Sequence, residues 1–348
     1  GASYWSLLVP AMIVGLAMTP FWFAYAKWRP SLISDPASLR ELLRLSKDLV
    51  GASFLSLLLS NVSFVIAGRV LGKDAAGLYN VATAGSMLIL VNYAWLIGNV
   101  SLSGFAVKQG DIDALRGGFG RIYELLAATT LPLHMIAIAL APLLFDALMP
   151  AQYAPAERAF QALLAFSAVR SLAAHVVPYY NATGKTYVNF YYLLIAAPVC
   201  IPIMYVTCRL TVDRYGVQAG LDALAWATAL SQGTVAVGLL AGVRYVLDWR
   251  DLGLVKRAFP YAAGSAVAAL AALGIEWGAG KLLPPESGRA LGVVVLMLAA
   301  AAGMVAYFLT LYVGARPRLA QVIRDAVPGK IRDRLVYRIF PGLREQSV

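Results

Sequence analysis

Apolar stretches of about eighteen or more residues recur along the whole chain and constrain its fold more than any other feature. A helix rises about 1.5 Å per residue, so each stretch can cross the roughly 30 Å hydrocarbon core of a bilayer. Only 14% of the residues are charged, whereas a soluble domain carries about a quarter, because its surface must face water. The sequence therefore predicts a polytopic membrane protein.

Apolar runs bounded by charged residues, glycine and proline predict an all-α bundle of about nine transmembrane helices. Strands are not expected, because the sequence lacks the alternation of apolar and polar residues that a membrane β-barrel requires. The predicted spans are 3–26, 48–68, 76–100, 122–146, 157–181, 186–209, 219–246, 258–280 and 290–314.

Lysine and arginine are distributed unevenly between successive predicted loops. One alternate set of loops, together with the C-terminal tail, holds 21 of them, and the opposite set holds seven. Cytoplasmic loops carry the excess of these residues, so the basic set and the C-terminus are predicted to be cytoplasmic. The net charge of +11 is then explained by topology, and no nucleic-acid partner is expected.

Two basic segments outside the predicted spans, 35–47 and 316–340, carry apolar residues at helical spacing. Each is predicted to form an amphipathic helix on the inner leaflet, where anionic lipids attract cations. Membrane lipids are therefore expected partners, and anchoring of the topology is favoured over binding of another protein. The chain begins without Met and without a basic n-region, so its start is interpreted as a cut just ahead of a helix.

No catalytic constellation is visible in the sequence. The only histidines are His134 and His175, both in apolar surroundings, and no HExxH, GxSxG or P-loop motif occurs. Cys200 and Cys208 share one apolar segment, where cysteine is usually a small apolar filler. The protein is therefore predicted not to be an enzyme and to hold no metal or cofactor, with proton or sodium coupling left open.

Arg170 is the sharpest candidate for a functional residue, since it lies near the middle of the predicted span 157–181. A charge facing lipid there would cost about 2.5–3.5 kcal/mol, so Arg170 is expected to face protein, water or a ligand. Ser167, Ser171 and Ala174 share its helical face. Arginine can hold a phosphate through charge-assisted, bidentate hydrogen bonds; the alternative is a structural pairing with helix carbonyls or a carboxylate.

His175, Asn92 and Gln232 are weaker candidates for a substrate-binding cavity. Polar side chains of these types often bridge transmembrane helices, so a structural role is the alternative for each. His134 or His175 could also relay a proton, the alternative being a packed neutral histidine.

Residues 64–82 read FVIAGRVLGKDAAGLYNVA, with glycines that permit a tight reversal between helices. This segment resembles the turn after the seventh helix in polysaccharide transporters of the multidrug/oligosaccharidyl-lipid/polysaccharide exporter superfamily. The residues that match the family pattern are Gly68, Leu71, Gly72, Gly77, Tyr79 and Ala82.

Three further segments, 148–166, 180–189 and 215–232, resemble patterns at later helices of the same family, in the same order. The chain departs from the family near Pro150, where a glycine is expected, and near Asn61, where a carboxylate is often found.

The resemblance implies that the chain is an N-terminally truncated fragment holding helices six to fourteen of a two-lobe fold. The implied regions are the last helix of the N-lobe (1–26), an inter-lobe amphipathic segment (27–47), a six-helix C-lobe (48–247), an additional helix pair (248–314) and a basic cytoplasmic tail (315–348).

The resemblance also implies a flippase that moves undecaprenyl-pyrophosphate-linked oligosaccharide across a bacterial inner membrane, for O-antigen, capsule or exopolysaccharide assembly. Lipid-linked oligosaccharide is then a partner, and a glycan polymerase and a chain-length regulator are possible functional associates. The alternatives are a drug/cation antiporter, a lipid II flippase of the same superfamily and, from another class, a membrane glycan polymerase. An antiporter would favour acids in the middle of spans, whereas Glu124, Asp222 and Glu276 are predicted to lie near span ends.

Overall fold

The computed structural model describes residues 5–26, 35–88, 90–108, 110–246, 253–282 and 288–326. Every regular element within these ranges is helical, which confirms the all-α prediction. The α-helices are α1 (Trp5–Ala26), α2 (Pro36–Ile66), α3 (Lys73–Ser86), α4 (Trp95–Val107), α5 (Ile112–Ala139), α6 (Ala141–Leu148), α7 (Glu157–Leu172), α8 (Val176–Ala182), α9 (Thr186–Tyr215), α10 (Val217–Val246), α11 (Leu254–Leu282), α12 (Arg289–Gly314) and α13 (Arg316–Ala326).

Seven helical segments in the described ranges are long and apolar enough to cross a membrane, and each coincides with a predicted span. They are Ser46–Leu71, Ile112–Ala139, Ala151–Ala182, Thr186–Tyr215, Val217–Tyr245, Leu254–Leu282 and Arg289–Gly314. In addition, α1 contributes a shorter apolar helix over Met12–Ala26. The chain is therefore a multi-pass membrane protein.

The predicted span 76–100 is not one continuous α-helix. It is divided between α3 and α4, with a π-helical turn at Leu90–Ala94 between them. Near the end of α3, the Thr83 hydroxyl donates to the Tyr79 carbonyl at 2.8 Å and the Ser86 hydroxyl donates to the Thr83 carbonyl at 2.9 Å. Hydroxyl groups that bond to their own helix in this way weaken and bend it. A count of apolar residues does not reveal such an interruption.

The chain divides into two compact units, Gly1–Lys47 and Asp48–Val348. Residues 36–47, predicted as a short amphipathic helix on the cytoplasmic surface, are helical, and they form the first part of α2, which runs without interruption from Pro36 to Ile66. No proline follows Pro36 within α2 to end it, so the helical pattern of 35–47 runs on into the apolar stretch.

The reversal after α2 depends on Gly72, whose φ angle is +89°. Residues with a side chain rarely adopt this left-handed region, whereas glycine does so without steric cost. The preceding Leu71 is buried, and α3 begins directly afterwards at Lys73. The structure therefore gives the physical reason for one glycine of the motif at 64–82.

Helix α5 begins ten residues before the span predicted at 122–146. The Asp111 carboxylate accepts a hydrogen bond from the Ala114 backbone N–H at 2.9 Å, which caps the helix before Ile112. As a result Glu124 is the thirteenth residue of the 28-residue α5, and its predicted position near a span end was wrong. Its buried carboxylate forms an ion pair with Arg257 of α11 at 2.5 Å.

The core of the second unit is built around α5, α7 and α10. Helix α10 packs against α9 and α7, and α5 packs against α7 and α11. The α11–α12 pair is joined to α5 by the buried Tyr307 hydroxyl, which donates to the Ala128 carbonyl at 2.6 Å. This arrangement places the middle of α7 inside the bundle, next to both α5 and α10.

The segment 316–340 was predicted to lie on the surface of the inner leaflet. Its described part, α13, packs on the helix bundle instead. Leu319 and Ala320 are buried in one core cluster with residues of α5, α11 and α12. The Arg318 guanidinium donates to the carbonyls of Lys256 at 2.8 Å and Arg257 at 3.3 Å. The rest of the predicted tail helix, 327–340, lies outside the described residues.

Candidate functional site

The middle of the membrane-spanning segment 151–182 carries Arg170, which is partly buried. Its guanidinium Nη1 donates to the Oε1 of Gln232 on α10 at 2.9 Å. The Nε2 of Gln232 donates in turn to the Leu59 carbonyl on α2 at 3.1 Å. The two candidate residues Arg170 and Gln232 therefore form one polar link between α7, α10 and α2.

The positive charge of Arg170 has no carboxylate partner among the described residues. The ion pairs in that part of the chain are Arg116–Asp113, Arg209–Asp213 and Arg257–Glu124. The guanidinium also lies over the Phe166 ring, whose centroid is 5.9 Å from Cζ. Neutral dipoles and an aromatic face hold the cation in place without neutralising it, so the site can attract an anion.

The backbone breaks immediately after this arginine, between the end of α7 at Leu172 and the start of α8 at Val176. In the break the N–H groups bond three residues back, from Ala173 to Arg170 at 3.1 Å and from Val176 to Ala173 at 3.0 Å. Pro178 contributes to it, because proline has no N–H to donate to the residue four positions earlier. Interrupted helices inside membrane spans are typical of substrate sites in transporters.

Gly98 allows α4 to approach this break closely. A Cβ atom added at Gly98 would lie 2.6 Å from the Ala174 carbonyl oxygen and 3.1 Å from its carbonyl carbon. Both atoms belong to the backbone, so the contact cannot be relieved by rotating a side chain. The geometry of the break therefore depends on the absence of a side chain at this position.

We expect Gly98→Ala to force α4 away from the break and to lower stability by about 1–3 kcal/mol, the usual cost of overpacking. The measurement is the melting temperature of the purified full-length protein in detergent. Gly104→Ala is the matched control on the same helix, since nothing lies within 4 Å of its added Cβ. Equal melting temperatures for the two variants would contradict the proposed close approach.

His175 lies at the break but faces aromatic rings of α5. Its side chain is fully buried, with ring centroids 4.3 Å from Phe119 and 6.2 Å from Tyr123. Neither ring nitrogen meets strict hydrogen-bond geometry with another atom of the described ranges. The structure thus places His175 beside the Arg170 helix without bonding it to Arg170 or Gln232.

Asn92 is exposed in the π-helical turn between α3 and α4. Its amide Nδ2 donates to the Leu88 carbonyl, four residues back, at 2.9 Å. The structure therefore does not bring Asn92 into the Arg170–Gln232 link.

A second polar link joins α5 to α7 one turn from Arg170. The Nδ1 of His134 lies 2.7 Å from the Thr130 carbonyl and its Nε2 lies 3.1 Å from the Ser167 hydroxyl. A carbonyl only accepts, so Nδ1 carries the hydrogen and Nε2 accepts from Ser167. The sequence did signal the α7 side of this link, because Ser167 and Arg170 have the three-residue spacing of one helical face.

Within the described ranges, no three or more histidine, cysteine or acidic residues lie close enough together to hold a metal ion.

Comparison with known proteins gives matches to proteins of polysaccharide assembly. A family model described as "Polysaccharide biosynthesis protein" matches residues 1–158. The amylovoran biosynthesis protein AmsL of Erwinia amylovora is 24% identical over 58% of this chain and 54% of its own length.

Two further relatives are the teichuronic acid biosynthesis protein TuaB of Bacillus subtilis and the lipopolysaccharide biosynthesis protein WzxC of Escherichia coli. TuaB is 23% identical over 32% of this chain and 24% of its own length. WzxC is 28% identical over 38% of this chain and 28% of its own length. The chain thus matches about half or less of the length of these relatives. No solved structure matches it significantly.

The matched region 1–158 includes the motif at 64–82, whose glycine turn the structure explains. The matches and the motif agree, and both relate the chain to proteins of polysaccharide biosynthesis.

Proposed function

We propose that this protein moves an undecaprenyl-pyrophosphate-linked oligosaccharide across the bacterial inner membrane, with its C-terminus in the cytoplasm. The names of the relatives support a role in surface polysaccharide assembly. The excess of lysine and arginine in one set of loops supports the orientation. The protein acts as a transporter rather than an enzyme in this proposal, and a proton or sodium gradient supplies the energy.

The observation that carries the proposal is the uncompensated charge of Arg170 within a membrane span. A diphosphate is the most highly charged part of such a lipid-linked sugar, and it is the part that hydrocarbon excludes most strongly. Arg170 offers a planar guanidinium that suits phosphate oxygens, and Gln232 fixes its position. The break between α7 and α8 adds a point at which the span can bend as the site opens to one side or the other.

An antiporter for drugs and cations is less well supported by the same geometry. Such a transporter would use a free intramembrane carboxylate to bind its cation. Glu124 lies in the middle of α5, but its carboxylate is already in an ion pair with Arg257. A lipid II flippase would also bind a lipid-linked diphosphate, and a glycan polymerase would act on the same class of polysaccharide. The experiment below therefore tests both alternatives.

The test uses the full-length protein in proteoliposomes that contain an undecaprenyl-diphosphate-linked oligosaccharide. Accessibility of the sugar to an added glycosidase reports its transfer between leaflets, and lipid II is assayed in parallel. We expect transfer of the oligosaccharide lipid that exceeds transfer of lipid II. Preferential movement of lipid II, or elongation of the glycan without movement, would reject the proposal in favour of the corresponding alternative.

A further inference from the structure

Three helical segments meet at one end of the second unit, and we call this region the basic corner: 112–124 of α5, 254–261 of α11 and 316–326 of α13. Three interactions hold it together: the Arg257–Glu124 ion pair at 2.5 Å and the hydrogen bonds from Arg318 to the carbonyls of Lys256 at 2.8 Å and Arg257 at 3.3 Å. The corner is therefore a defined meeting point of three helices rather than a loose run of charged residues.

The basic corner carries an excess of positive charge. Its three segments contain seven lysines and arginines against three carboxylates, and two of those carboxylates are in ion pairs with arginines of the same corner. The side chains of Arg121 and Lys256 are exposed, and that of Arg316 is partly buried. Arg316 stacks over the Tyr312 ring at 4.3 Å, and its Nε has no hydrogen-bond partner among the described residues.

An unused hydroxyl lies inside the corner. Tyr261, one turn after Arg257, is fully buried, and its hydroxyl has no hydrogen-bond partner within the described ranges. Buried polar groups are nearly always hydrogen-bonded, so the hydroxyl is an unused donor within the corner.

An exposed apolar face adjoins these cations. Val255 and Phe259 are four residues apart on α11, so they lie on one helical face, and they are 81% and 68% exposed. Lys256 lies between them in sequence, at the start of the helix. An acyl chain on the apolar face would therefore place its headgroup phosphate at the level of the cations.

We infer that the basic corner binds an acidic phospholipid, with the headgroup phosphate on Arg121, Lys256 and Arg316 and an acyl chain along Val255 and Phe259. Basic pockets between membrane helices bind anionic headgroups. Free phosphate would satisfy the cations but would leave the adjoining apolar face unused. The bound lipid links α5 to the α11–α12 pair and α13. Its cations are not those of the Arg170–Gln232 link, so the inference does not rest on the proposed transport function.

The test measures lipid binding by the purified full-length protein with native mass spectrometry and with melting temperature in mixed micelles. Phosphatidylglycerol is the acidic probe, and phosphatidylcholine and inorganic phosphate are the two comparison probes. The test variant is Arg121→Gln/Lys256→Gln/Arg316→Gln. The control removes three exposed cations elsewhere, Arg69→Gln/Lys73→Gln/Arg214→Gln.

We expect phosphatidylglycerol to remain bound to the wild type and the control, and to raise their melting temperatures. Its affinity should fall roughly fivefold per cation removed, hence on the order of 100-fold in the triple variant. Equal retention in the triple variant would overturn the inference, and so would equal stabilisation by phosphatidylcholine or by inorganic phosphate. If the triple variant does not fold, Lys256→Gln alone decides the question through its expected fivefold loss.

Discussion

Replacing Arg170 with Ala is expected to abolish glycan export while leaving the protein in the membrane at its normal level. The guanidinium supplies the charge that we propose for the diphosphate, and hydrogen bonds to charged groups contribute about 1.5–3 kcal/mol each. Loss of one such contact weakens substrate binding about 10- to 100-fold. The measurement is complementation of a flippase-null strain by the full-length protein, with surface glycan as the readout.

Two further variants separate charge from geometry at this position. Arg170→Lys keeps the charge but loses the planar, bidentate donor, so partial export is expected. Arg158→Ala is the matched control, because Arg158 is an exposed cation on the same helix α7. Normal export by Arg170→Ala would refute the role, as would an equal loss in Arg158→Ala.

Gln232→Glu gives the sharpest discrimination between a structural and a functional arginine. The substitution nearly preserves the shape of the side chain and places a carboxylate 2.9 Å from Arg170, where Oε1 now lies. A purely structural link would survive in this variant, apart from the lost donor to the Leu59 carbonyl. Export should nevertheless fall sharply, because the new ion pair neutralises the charge that attracts the diphosphate.

The second large effect is expected at Glu124, where alanine should lower stability by roughly 2 kcal/mol. The Glu124 side chain is 9% exposed and that of Arg257 is 37% exposed, so the value lies between those for surface and buried ion pairs. Without the carboxylate, Arg257 is left partly buried without its ion-pair partner, and α11 loses its ion pair with α5. The measurement is the melting temperature of the purified protein in detergent.

A matched control for this loss exists on the same helix. The Arg116–Asp113 pair has an N–O distance of 3.3 Å, but the Asp113 side chain is 93% exposed, so Asp113→Asn should change stability little. In the double variant Glu124→Gln/Arg257→Gln, part of the loss should be recovered, because no unpaired charge remains. A melting temperature for Glu124→Ala equal to that of Asp113→Asn would show that the ion pair does not stabilise the docking of α11.

The membrane spans were predictable because hydropathy is a local property. About twenty consecutive residues decide whether a helix can cross the hydrocarbon, whatever the rest of the chain does. Seven predicted spans therefore coincide with helices of sufficient length and apolarity. Local chemistry also explains Gly72, because the turn at this residue needs a positive φ angle, which glycine adopts without steric cost.

Hydropathy averaged over a window does not show where individual helices begin and end. Single hydrogen bonds, or the absence of a helix-breaking residue, determine the separation of α3 from α4, the early start of α5 and the continuity of α2. The carboxylate of Asp111 begins α5 at Ile112, and this one contact moves Glu124 from a predicted end to the middle of a helix. A sum over a window cannot register one capping contact.

Sequence alone identified Arg170 as a residue that must avoid lipid, and it named Gln232 among several polar candidates. Only the tertiary structure decided that these two are partners, 62 residues apart, and that Glu124 pairs with Arg257 across 133 residues. Such contacts depend on which helix faces pack together, and the hydrophobic effect that inserts each helix is not directional. The apolarity of each segment thus determined from the sequence where the membrane-spanning helices lie. Packing between these helices determined which polar side chains bond to one another.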